Sequence, residues 1–400
     1  VSVQLIPNHI NIPLPQPTYM GLAPPQMIPP IAIPNPSGGR HEAQVQNASI
    51  QIVDDGDLTV SADFDANYSA IAMPRPDDGG GTFGVGASAA ANAINHTTLA
   101  EIQSGATISG AANIIVTANG VYDTDATADA GANETANLPA SAAANYTNVR
   151  TRAHIVDGAT AGEVAGGVAV QSNHLATMTH TANSNTEGGV VGVGAALALG
   201  IADGGAQATS ALTAEVMQGV SVQANNQSTM NADAMAGQTG TSNEVVDVVV
   251  TEETERRAEA LLASAGLPEI PDRVLRILQA ASAETADGSV GAAAASAANL
   301  DFGISVAAID GGVMEVANEP FVRASGDMDL NAMADASAVS AENGIGVAAA
   351  INGDSQLVES SLGGMITAPS FSVQTVSSVD ESHFSATAIS GAGGQADVGV

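Results

Sequence analysis

Apolar and polar positions alternate along most of the chain in a recurring five-residue signature: apolar, polar, apolar, polar, small. It reads Leu58-Thr59-Val60-Ser61-Ala62, Val220-Ser221-Val222-Gln223-Ala224, Met328-Asp329-Leu330-Asn331-Ala332 and Phe371-Ser372-Val373-Gln374-Thr375, with looser copies at 114–118 and 168–172. The first four copies, beginning at 58, 114, 168 and 220, lie 56, 54 and 52 residues apart. Alternation of period two predicts half-buried β-strands, here five to eight residues long. A near-constant interval predicts a repeat architecture rather than a set of unrelated domains.

A glycine-led run of small residues forms a second recurring element. It appears as Gly84-Val85-Gly86-Ala87, Gly192-Val193-Gly194-Ala195-Ala196-Leu197, Gly303-Ile304-Ser305-Val306 and Gly344-Ile345-Gly346-Val347. The leading glycines, the β-branched residues and the turn residues that follow (Asp203-Gly204-Gly205, Asn352-Gly353-Asp354) predict strands rather than Ala-rich helices. Units that each bury one small face form a continuous core only when stacked. The expected fold is therefore mainly β, a parallel β-solenoid (β-helix) whose coils lie about 4.8 Å apart. A repeat of this size corresponds to two or three coils of about 18 to 27 residues each. Tandem small β-sandwich units are the competing architecture.

Two stretches break the pattern. Residues 1–40 hold ten of the seventeen prolines together with a dozen larger apolar residues, among them Leu5, Ile6, Tyr19 and Met20. Proline fixes φ and removes donors, so this stretch predicts an extended arm that cannot sit inside a sheet. Between 243 and 286 the period turns helical: Ala258, Leu261, Leu262 and Ala265 share one face, and Val274, Ile277 and Leu278 another. Gly266 and Pro268 stop the first helix, and Pro271 with Asp272 opens the second. The organisation expected is an arm (1–40), solenoid repeats (41–242), an inserted helical hairpin with helices near 252–265 and 271–283 (243–286), and further solenoid repeats (287–400).

Composition sharpens this picture. Aromatic residues make up only 2% of the chain, so the core must be thin and built from small side chains. Nine basic residues, all Arg, stand against 42 acidic ones, a net charge of -33. Such a chain repels polyanions, which argues against a nucleic-acid partner. With no cysteine, disulfides and thiolate chemistry are excluded. The longest apolar run, 190–202, is interrupted by glycines and too short for a membrane helix. The chain opens on Val1 without a basic and apolar leader, as a mature or excised piece would.

Candidate chemistry is sparse. The seven histidines are scattered, lysine is absent, and no spacing matches a metal or triad constellation, so no enzyme activity is expected. His174 and His180 fall in a Thr-rich strand and read as polar, outward positions. Asp54, Asp55 and Asp57, around Gly56, could offer carboxylate oxygens to Ca2+, as could Asp77 and Asp78. The alternating threonines at 177–181 suit an ice-binding face only if repeated on successive coils.

The glycine-led runs, their turn residues and the strand Val220-Ser221-Val222-Gln223-Ala224-Asn225 resemble passenger repeats of very large bacterial surface proteins. These are the filamentous-haemagglutinin-like and autotransporter-like adhesins, and the resemblance covers residues 41–242 and 287–400. It implies a secreted or cell-surface β-helix with structural or adhesive work, host or cell-surface glycans as partners, and no catalytic residues to carry over. Self-association through residues 1–40 and the solenoid ends is the expected assembly mode. A rigid adhesin stalk is the alternative, ahead of a polysaccharide-active enzyme or an ice-binding protein.

Overall fold

The structure is a computed structural model that describes residues 37–73, 86–132, 136–187, 191–239, 290–339, 343–377, 382–393 and 396–399. Among these residues there is no helix. Six coils follow one another. The first runs through β1 (Ser37–Val45), β2 (Ser49–Gln51) and β3 (Leu58–Ala72), and the second through β4 (Ala87–Ile102), β5 (Thr107–Ser109) and β6 (Ile114–Ala132). The third comprises β7 (Ala136–Asn137), β8 (Ala140–Ile155), β9 (Thr160–Val164) and β10 (Val168–Glu187), and the fourth β11 (Val191–Ser210), β12 (Thr213–Val216) and β13 (Val220–Thr239). The fifth holds β14 (Val290–Ile309), β15 (Val313–Val316) and β16 (Phe321–Val339). The sixth holds β17 (Asn343–Asp354), β18 (Leu357–Leu362), β19 (Met365–Thr367), β20 (Ser372–Ser377) and β21 (His383–Gly393), after which β22 (Ala396–Gly399) pairs onto β17.

Equivalent strands pair in parallel to make three sheets. Sheet I runs β1-β4-β8-β11-β14-β17-β22, sheet II β20-β16-β13-β10-β6-β3, and sheet III, of short strands, β19-β15-β12-β9-β5-β2. This stacked parallel pairing excludes tandem antiparallel sandwiches and makes the chain a β-solenoid. The coil size differs from the sequence expectation. Each interval of 52 to 56 residues is one coil, because the signature and the glycine-led run belong to strands of up to 20 residues. Such a strand is about 66 Å long at about 3.3 Å per residue, so the coils are wide and flat.

The insertion in the repeat shows in the register. Val170 pairs with Val222 across 52 residues, whereas Val222 pairs with Val322 across 100. The stack continues across the extra length without a shift. The helical hairpin read at 243–286 falls outside the described residues, as do Asp77, Asp78 and residues 1–36 of the arm. The last residues of the stretch read as arm, from Ser37, belong to β1 and pair with β4.

The interior changes character across each coil. Where all three sheets meet, larger side chains fill the space: Ile102, Ile108, Ile114, Val116, Ile155, Val164, Val170, Leu212, Val216 and Val322 form one buried cluster. Toward the opposite edge only sheets I and II face each other, and the buried set is alanine throughout, including Ala90, Ala128, Ala143, Ala182, Ala198, Ala234, Ala297 and Ala334. Alanine faces need less than the about 10 Å that bulkier side chains set between sheets. The coil therefore tapers from a Val/Ile end to an alanine end. Sheet III closes the wide end through tight corners, where Gly158 (φ 87°) and Gly311 (φ 98°) take a left-handed backbone that a side chain would strain.

Candidate functional site

Asp54, Asp55 and Asp57 occupy the exposed turn between β2 and β3. Asp54 and Asp55 both have positive φ (57° and 51°), the left-handed conformation that Asp tolerates better than most residues. Asp57 is engaged with the next coil: its Oδ1 accepts from the backbone N of Asn113 at 3.1 Å and from Asn113 Nδ2 at 2.8 Å. Among the described residues no group of three His, Cys, Asp or Glu is placed to hold a metal ion.

A polar seam lies inside the solenoid, at the boundary between the Val/Ile and alanine halves. On sheet I one inward column reads Asn92, Asn145, Gly200, Asn299, Asn352 from coil two to coil six. The asparagines bond along the column and across it. Asn92 Nδ2 donates to Asn145 Oδ1 at 2.9 Å, and Asn299 Nδ2 to Asn352 Oδ1 at 3.0 Å. Each also donates across to a carbonyl of sheet II: Asn92 to Asp125 O at 2.6 Å, Asn145 to Thr179 O at 2.6 Å, Asn299 to Asn331 O at 2.8 Å and Asn352 to Ser385 O at 2.6 Å. A one-residue slip of any coil would face these amides outward and strand the carbonyls, so the ladder fixes register as well as sheet spacing.

Gly200 is the exception in this column, and it has a counterpart opposite. The facing column of sheet II reads Ala70, Ala126, His180, Ala232, Ala332, Ala386, in which His180 alone is large. A Cβ on Gly200 would come within 2.8 Å of both His180 Nε2 and Met230 Cε, and closer still to His180 Cε1. The imidazole thus takes the volume that asparagine fills elsewhere. Neither nitrogen of His180 makes a well-formed hydrogen bond, and the same holds for Asn299 Oδ1, which would accept from an asparagine at 200. Burial lowers the His180 pKa to about 4, opposed by the adjacent Ala298 backbone and Asn299 side chain.

The expectation that His174 and His180 point outward is therefore corrected: both are inward and buried. Strand parity gives the reason. Met178 and Ala182 face the core, and positions an even number of residues away, including 174, 176 and 180, share that face. His174 closes a chain of rings through the first three coils. His41 and Phe64 lie 5.4 Å apart between centroids, Phe64 stacks on His96 at 3.7 Å, Tyr122 lies 5.8 Å from His96, and His174 lies 5.2 Å from Tyr122. The Tyr122 hydroxyl shares a hydrogen bond with Thr98 Oγ1 at 2.9 Å, as His174 Nδ1 does with Thr151 Oγ1 at 3.0 Å. Glycines make room here too: a side chain at Gly120 would run into Thr151 and Tyr122, and one at Gly39 into His96. Burial lowers His96 to about 4, with His41 adding to the shift, and His174 to about 3, with Arg150 adding.

Toward coil six the seam becomes acidic. Asp301 is buried beside Asp354 of the next coil. Burial raises its pKa to about 6, opposed by the Ser228 hydroxyl and reinforced by Asp354 and Asp203. Asn226 reaches over Gly303, and the end of Gln356 lies over Gly326, so large polar groups again sit against glycines. The Thr151–His174 contact joins a hydroxyl to an imidazole, but both groups are enclosed, at 0% and 4% exposure, and no substrate can reach them. The seam is chemistry directed at the fold: it holds neutral imidazoles, amide ladders and a carboxyl whose pKa burial raises.

Outside the core, sheet II carries a second polar ladder. Asn119 Nδ2 donates to Asp63 Oδ1 at 2.6 Å, Asn173 to Asn119 at 2.8 Å and Asn225 to Asn173 at 2.8 Å, and Ser325 Oγ donates to Asn225 at 2.7 Å. Neither ladder follows from the sequence patterns above, although Asn92 and Asn145, and again Asn299 and Asn352, lie 53 residues apart. No family model, curated protein or solved structure matches the chain.

Proposed function

We propose that the protein is a structural element, a subunit or segment of an extracellular bacterial fibre or sheath that associates with further copies end to end. The observation that carries this reading is the open face of the sixth coil. Val373 and Phe384 continue inward columns whose neighbours, Val322 and Leu330, are fully buried, yet they are 45% and 54% exposed because no described coil covers them. In this reading another coil, from a second copy, fits there by the same parallel pairing that joins the coils within the chain. The inward polar groups are spent on register and reach no substrate, which supports a mechanical over a catalytic role. The helical hairpin and the Pro-rich arm expected from the sequence belong to the same reading as appendages of the rod.

Negative-stain microscopy with light scattering tests it. The full chain is expected to form rods that lengthen with concentration, and the Val373→Asp/Phe384→Asp variant to remain as single particles. Rods of unchanged length from that variant refute end-to-end association.

A further inference from the structure

The first half of sheet I is apolar on both faces. Inward it presents the alanine columns, but the residues between them are also apolar: Ala91 and Ala93 on β4, Val193, Leu197 and Leu199 on β11, and Ala298 on β14. Sheet II does not share this property, since its inward apolar residues alternate with Asn, Thr, Gln and Asp. Strands read as continuous apolar runs when both faces are covered.

The outward residues are in fact covered. Val193, Leu197 and Leu199 are 4%, 7% and 3% exposed, against 38% and 36% for Leu175 and Met235, which point outward from sheet II. All three sheets meet through their inner faces, and no described element lies over the outer face of sheet I. A leucine on a bare sheet face would be as open as Leu175, so this face has a cover that the described strands do not supply.

We propose that this outer face is the docking surface of the chain's own N-terminal arm, residues 1–36. Three observations select the arm. It joins β1 at Ser37, whose register partner is Ile94, so the arm arrives at the edge of sheet I directly beside Ala91 and Ala93. It contains no Asp, Glu, Lys or Arg, in a chain whose net charge is -33, and the face it would cover is equally free of charge. The other long stretch outside the described residues, 240–289, carries fourteen charged side chains. Finally, a Pro-rich segment lacks the donors needed to extend a sheet edge but can lay apolar side chains across a sheet face. At about 3.1 Å per residue, 36 residues span far more than the roughly 29 Å height of six coils. The arm is thereby assigned to its own chain, and the open sixth coil remains the assembly contact; this assignment stands whether or not rods form.

The chain has no cysteine, so a single Leu197→Cys substitution in the full-length protein provides a unique probe. Benzophenone attached to that thiol is expected to cross-link, on illumination, to peptides from residues 1–36 of the same molecule. The thiol should react with maleimide at least tenfold faster once residues 1–36 are deleted, and at an unchanged rate when 243–286 are deleted. Cross-links to 240–289, or faster labelling on deleting that stretch, would assign the face to the insertion and overturn the proposal. Cross-links found only between molecules, with protection lost on dilution, would assign it to a second copy and overturn it equally. If the arm deletion fails to fold, as judged by far-ultraviolet circular dichroism, the full-length cross-link map decides alone.

Discussion

Gly200→Asn restores to coil four the asparagine that coils two, three, five and six carry, yet it should destabilise the protein. Its Cβ would meet the His180 ring at 2.8 Å or less, where ordinary contact needs about 3.4 Å, and Met230 closes the other side. Overfilling a packed interior in this way costs about 1–3 kcal/mol. His180→Ala alone removes a buried ring and leaves a void, but it also removes two buried nitrogens that lack well-formed hydrogen bonds, whose desolvation costs about 1–3 kcal/mol, so its net cost should be small. The double variant makes both columns uniform. Asparagine at 200 could accept from Asn145 and donate to Asn299 Oδ1, two bonds worth about 0.5–1.5 kcal/mol each. The double variant is therefore expected to match or exceed the native protein, with a favourable coupling of about 2–4 kcal/mol. Urea unfolding of the four proteins at pH 7, with hydrogen exchange read at β10 and β11, measures it. Native stability in Gly200→Asn alone, or strictly additive effects, would refute the idea that His180 substitutes for a rung of the ladder.

Acid should weaken the fold. Burial, first among the causes in every case, lowers His96, His154 and His180 to about 4 and His174 to about 3. Once unfolded, these imidazoles take up protons below about 6.5, while the folded ones stay neutral, so stability is lost as pH falls from 6.5 toward 4. Asp301, raised to about 6, opposes this between about 6 and 4, and Asp233 and Asp354, also raised by burial, act in the same direction as Asp301. Four groups against at most three leave a net uptake of about one to three protons on unfolding, about 1.4 kcal/mol per pH unit for each; a urea midpoint that rises from pH 6.5 to 4.5 would contradict it. Association of rods with a net charge of -33 should need screening or bridging cations. EDTA at low salt is expected to disperse the assemblies, and particles of unchanged size under those conditions would leave apolar contact as their sole cohesion.

Much of the architecture is written in the order of residues. Small side chains, alternation and a period near 54 follow from the needs of stacked strands, and they mark a mainly β repeat and the place where it is interrupted, while the parallel pairing that excludes tandem sandwiches is seen only in the structure. Even the two-sided burial of sheet I is legible as the run Val193-Gly194-Ala195-Ala196-Leu197-Ala198-Leu199, against the clean alternation of Val220-Ser221-Val222-Gln223. What the order of residues does not reveal is which positions meet. One period makes one coil because each signature sits in a strand that runs on well past it without a turn, and local pattern cannot tell a continued strand from a new one. His180 and Gly200 lie twenty residues apart on different coils and opposite sheets, so their fit exists only once both sheets are stacked in register. The asparagines are ordinary turn-forming residues until stacking about 4.8 Å apart turns them into a ladder. Volume and hydrogen-bond complementarity across a core are properties of pairs in space, and only the tertiary structure names the pairs.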